Sequence, residues 1–113
     1  MSKVGRENLV TVTSTAKTLA ELLEEDLLEG LACVVVKNHG GQNIFFGTGE
    51  VTIETGTPLK PDEYRLFDLG RAAMNGYKFI TNADDDVSMS VAQEGELTAI
   101  PVTVVTTPTV NLI

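Results

Sequence analysis

Alternation at period two, repeated in short runs along the chain, most limits what this sequence can fold into. "VSMSVAQ", Val87 to Gln93, sets Val87, Met89 and Val91 on one side and Ser88 and Ser90 on the other, as a strand with one buried face requires. "LVTVTST", Leu9 to Thr15, alternates apolar and hydroxyl residues in the same sense. "LACVVVK", Leu31 to Lys37, is nearly continuous in apolar residues and reads as a strand covered on both faces, at the centre of the core. "IFF", "EVTIETG" with Val51 and Ile53 on one face, "EYRLFDL" and "YKFIT" supply further strands. The glycines of "KNHGGQNIFFGTGEV" punctuate them: "NHGGQN" has hairpin chemistry and "GTG" makes a second corner. About seven or eight short strands and no repeat predict a mainly β fold, a β-sandwich or barrel of Greek-key or jelly-roll type.

One segment breaks the pattern. Leu19, Leu22, Leu23 and Leu27 fall at helical spacing, Thr18 and Glu21 form a capping-box signature, and Gly30 offers a stop. The spacing predicts one short amphipathic helix near the N-terminus, over about 18–29. Glu24, Glu25, Asp26 and Glu29 crowd its C-terminal half, where the macrodipole disfavours anions. Early fraying, a basic neighbour or a solvated acidic face would each resolve that conflict.

The chain has 113 residues, the size of one domain. Residues 1–96 are expected to form the β-sandwich with its helix, and 97–113 a last strand and C-terminal arm. Pro101 and Pro108 confine that tail to an edge or an extended arm. Net charge is −8 and the eight basic residues are scattered, so contact with nucleic acid or an anionic membrane is not expected. The first residues lack the apolar core of a signal peptide, and no apolar run is long enough for a membrane span. The lone Cys33 lies in an apolar run, where a small buried thiol is expected.

Tests for chemistry come out negative at the level of sequence. Gly47 and Gly49 lead into a strand, not the helix that a phosphate loop or dinucleotide fingerprint needs. His39 is the single imidazole and sits in a glycine turn, better read as an exposed turn residue than a catalyst. Asp84, Asp85 and Asp86 lack the spaced frame of a calcium loop. Glu54 and Glu63 show no sign of burial that would part them into acid and base. The expectation is a non-enzyme with no catalytic residues, no cofactor and no metal.

The run "VVVKNHGGQNIFFGTGEVTIETGTPLKPDEYRLFDL" resembles a pattern in small virion proteins of tailed bacteriophages. A strand ends in Lys-Asn, here Lys37 and Asn38, and a short apolar strand closes on Gly47. There follows V-T-x-x-x-G-x-x-L, carried by Val51, Thr52, Gly56 and Leu59, and then Pro61 to Glu63 in place of the commoner Pro-Gly-Glu turn. The match covers about a third of the chain, and its motifs are turn and strand punctuation. The acidic helix and the tail after Glu94 depart from it, so it does not say how the protein docks. The resemblance implies a β-sandwich or jelly-roll protein of the capsid decoration or cement type. Such a protein binds the outer surface of the assembled head and clamps neighbouring major capsid proteins, after synthesis in the host cytoplasm.

A homo-oligomer, dimer or trimer, is expected. The tail would otherwise leave many apolar residues uncovered, and edges can add strands from a neighbour. Leu27, Val110, Leu112 and Ile113 are the contact candidates. A carbohydrate- or receptor-binding β module, or a tail component of the virion, is the alternative. Its weakness is that the aromatic residues, Tyr64 and Tyr77 included, are few and mostly in strands.

Overall fold

The computed structural model describes residues 3–82 and 86–96. Its elements are β1 (Lys3–Val12), β2 (Lys17–Thr18), α1 (Leu19–Leu23), β3 (Leu31–Asn38), β4 (Ile44–Thr48), β5 (Thr57–Leu59), β6 (Tyr64–Phe67), α2 (Arg71–Met74), β7 (Tyr77–Thr81) and β8 (Val87–Glu96). The fold is mainly β. Two four-stranded sheets, both antiparallel, run in the orders β1-β8-β3-β6 and β2-β7-β4-β5.

Alternation decides which side chains meet between the sheets. Val10 and Val12, Val34 and Val36, Phe67, and Val87, Met89 and Val91 are buried from the first sheet. Ile44, Phe46, Leu59 and Phe79 meet them from the second. Phe67 stands edge-on to Phe46 at 5.4 Å and to Phe79 at 6.2 Å between ring centroids, joining the sheets through aromatic contacts. Arg65 places its guanidinium 5.2 Å from the centre of the Phe46 ring. Leu19 of α1 and Met74 of α2 complete the core.

Several expectations need correction. The helix predicted over 18–29 is only Leu19–Leu23. Its capping box forms as the sequence requires, but Glu24 takes a left-handed conformation (φ 59°) and ends the helix well before Gly30. The acidic residues beyond it follow a loop that is tied down three ways. Leu27 inserts into the core, Gln93 Oε1 accepts from the Leu28 N–H at 2.9 Å, and Arg6 pairs with Glu25 at 3.1 Å. Gln93 is itself buried, and among the described residues its Nε2 has no partner.

"NHGGQN" is not a hairpin. It carries the chain from β3 in the first sheet to β4 in the second, and β4 instead turns back to pair with β5. "EVTIETG" is not a strand either. Val51 is buried, but residues 52–55 form a turn. The Thr52 hydroxyl accepts from the backbone of Glu54 and Thr55, an alternative partner that draws the chain away from a ladder. β3 is one-sided, with Val34, Val36 and Asn38 buried and Cys33, Val35 and Lys37 half-buried on the other face. The expected tail, 97–113, lies outside the described residues.

Candidate functional site

The motif residues of the first turn region converge on one corner. Asn38, at the end of β3, is fully buried yet satisfied. Its Nδ2 donates to the carbonyls of Gln42 and Leu59, and its Oδ1 accepts from the Gly40 N–H. Its backbone N–H donates to Glu63 and its carbonyl accepts from Asp62. The 60–63 turn closes through Glu63 N–H to Lys60 O, with Pro61 second and Asp62 third at φ 67°. A positive φ in the third position is what glycine supplies in turns of this kind. Asp62 therefore stands where the pattern more commonly has Gly. Gly56 has no room for a side chain, since a Cβ there would lie 2.8 Å from both Phe45 Cβ and Val51 Cγ2. Leu59 is fully buried. These residues shape the backbone of the corner.

Most of the exposed large hydrophobic side chains are elsewhere, on the outer face of the first sheet. Register aligns Glu7, Ala92, Val35 and Leu66 in one row across β1, β8, β3 and β6. The next row holds Leu9, Ser90, Lys37 and Tyr64. Leu9 and Tyr64 are each 68% exposed and Leu66 56%, with half-buried Cys33, Val35 and Ala92 between the strands that carry them. Adjacent Leu9 and Val10 cannot both point inward in a strand, so Leu9 signals this outer face from sequence alone. Tyr64 and Leu66 gave a weaker signal, because "EYRLFDL" has apolar residues in both phases.

The residues singled out from sequence are scattered. Leu27 is 2% exposed and part of the core, which removes it as a surface contact. Val110, Leu112 and Ile113 lie outside the described residues, as do Asp84 and Asp85. Cys33 is half-buried on the outer face, not in the core. His39 is exposed, its Nε2 3.0 Å from Ser90 Oγ on that same face. Glu54 and Glu63 are both exposed, in separate turns. Tyr77 packs against the core, leaving Tyr64 as the exposed ring.

The chain matches no known family model, no curated protein and no solved structure. Among the described residues, no group of three or more His, Cys, Asp or Glu could hold a metal ion. The outer face of the first sheet thus presents Leu9, Tyr64 and Leu66 interleaved with Glu7, Lys37 and Glu94.

Proposed function

We propose that the chain is a non-enzymatic virion protein of a tailed bacteriophage, of the capsid decoration or cement type. In this reading it is a jelly-roll β-sandwich made in the host cytoplasm. It binds the outer surface of the head and stabilises contacts between major capsid proteins. Its partners are the major capsid protein and further copies of itself, and it uses no cofactor. The jelly roll is supported by the strand orders β1-β8-β3-β6 and β2-β7-β4-β5, which alternate the chain between sheets and pair the first long strand with the last.

The observation that carries the functional reading is the outer face of the first sheet, where Tyr64 and Leu66 stand exposed beside Val35. A sheet face of that kind suits docking on a larger assembly. The resemblance of Lys37 to Glu63 to phage virion proteins gives the assembly its identity. Binding only the assembled lattice would stabilise it by mass action over many copies. Cosedimentation with phage capsids tests the reading, using the full chain and a version ending at Thr107. Saturation at a fixed copy ratio by the full chain supports it, and loss on truncation assigns the docking to residues 108–113. Absence of binding by either form rejects it.

A second reading is favoured by one feature. Gly41, Gln42, Asn43, Phe45 and Asn82 line a shallow depression of about 260 Å³, three amides beside a half-buried ring. A carbohydrate- or receptor-binding module, or a tail component, could use such a surface. Specific binding on a glycan array, abolished by Asn82→Ala, would move the assignment there.

A further inference from the structure

Among the described residues, the two sheets end in four edge strands, β1, β6, β2 and β5. Open edges invite strand addition, and proteins protect them with charge, proline or shortness. β1 carries Arg6 and Glu7, β2 has only two residues, and β5 has Pro58 at its middle. β6 is short, at four residues, but has no proline, and its outer side is uncharged. Its one charge, Arg65, is drawn over the Phe46 ring, while Tyr64 and Leu66 stand exposed. Among the described residues, β6 pairs with β3 alone.

The sequence contains a segment suited to that edge. Residues 97–113 include no Asp, Glu, Lys or Arg, in a chain of net charge −8. Pro101 and Pro108 bracket Val102 to Thr107, "VTVVTT", a β-branched run of ordinary strand length that proline stops at both ends. We infer that residues 102–107 of one copy add as a strand to the open β6 edge of a second copy, with their valines against Tyr64 and Leu66.

Reach argues for a second copy over the chain's own edge. Gln93 aligns with Val34 and Val34 with Phe67, so Glu96 lies three residues beyond the level of Phe67. A new strand beside β6 stands about 14 Å from β8 across the sheet and about 10 Å back along it. That straight line of about 17 Å passes through β3. With Val102 level with Phe67, the six residue steps from Glu96 span at most about 20 Å, little more than that line. Exchange between copies has no such limit, and in the simplest case closes as a reciprocal pair. The inference rests on the self-association proposed above and gives it a geometry; it uses the Tyr64 and Leu66 side of the same sheet face, and its test needs no capsid.

Sedimentation equilibrium of three full-length forms tests it: the unaltered chain, Leu66→Arg at the accepting edge, and Val104→Pro in the donated strand. Far-ultraviolet circular dichroism confirms that each folds. The unaltered chain should sediment above monomer mass and each variant as a monomer. A mixture of the two variants should regain a two-chain complex, because one keeps its donor strand and the other its accepting edge. A monomeric unaltered chain, variants that assemble as it does, or a mixture that stays monomeric would each overturn the inference. If the unaltered monomer also shows amide protection at 64–67 and 102–107, the segment has closed on its own edge instead.

Discussion

Asn38 Nδ2 donates to the carbonyl of Leu59 at 2.9 Å, joining the end of a strand in one sheet to a strand of the other across a fully buried position. The same amide fixes the 39–43 crossover through Gln42 and Gly40. Replacing Asn38 by Ala strands the buried Leu59 carbonyl and removes both loop contacts. A loss of about 3 kcal/mol is expected, from the cost of an unsatisfied buried group plus the lost bonds. Asn38→Asp should be no better, since it keeps the acceptor for Gly40 but loses both donors. Urea unfolding of the three proteins checks the ranking, and an Asp variant as stable as the parent would refute the role given to Nδ2.

Two glycines should respond in opposite ways to alanine. Gly95 pairs with Leu31 beside a register shift in β3, and its added Cβ would meet backbone atoms of Gly30 and Leu31. Backbone cannot swing aside as a side chain end can, so Gly95→Ala should cost at least about 2 kcal/mol. Gly41 has nothing within 4 Å of an added Cβ. There alanine should be neutral or stabilise by about 0.5 kcal/mol through the unfolded chain. Thermal unfolding of both variants makes the comparison.

Positive φ at Glu24 and Asp62 marks two places where glycine should improve the protein. A left-handed conformation costs a residue with a side chain about 1–2 kcal/mol, partly offset by the entropy glycine adds to the unfolded state. Glu24→Gly should therefore stabilise by about 0.5–1 kcal/mol. Asp62→Gly should gain less, because Asp tolerates this region better. Denaturation midpoints that fall for both would show that the side chains contribute more than the backbone relief.

How far the sequence could be read depended on whether local chemistry had one outcome or two. Val87, Met89 and Val91 could only be the inward face of a strand, and they are. Thr18 and Glu21 likewise announced a helix start. But Asn38 and the glycines after it fit a hairpin and a crossover equally well, and only strand pairing separates them. Val51 and Ile53 alternate like a strand until the Thr52 hydroxyl takes the backbone N–H groups. Leu27 continued the helical stripe in sequence yet reaches the core from a loop, because Glu24 ends the helix first. The outer face was visible at Leu9 and hidden at Leu66, whose neighbours Arg65 and Phe67 left the inward phase ambiguous.

The capping box at the start of α1 gives stability a pH dependence of known sign. Glu21 Oε1 accepts from the Thr18 N–H at 2.8 Å, and Thr18 Oγ1 accepts from the Glu21 N–H at 3.2 Å. The bond from the Thr18 backbone, above all, holds the Glu21 carboxyl below its ordinary value of 4.5, with smaller help from the Thr18 hydroxyl, Lys78 and Lys17. A carboxyl whose folded value lies below its unfolded one adds stability above the unfolded value, and that stability is lost as pH falls through the folded value. The helix start should therefore weaken below about pH 4.5 and not between pH 6 and 8. Glu21→Gln should flatten this part of the acid limb. Thr18→Ala should lower stability by about 1 kcal/mol at neutral pH through loss of the cap. Urea midpoints at a series of pH values for the parent and both variants check it. An acid limb unchanged by Glu21→Gln would place the pH dependence on other carboxylates.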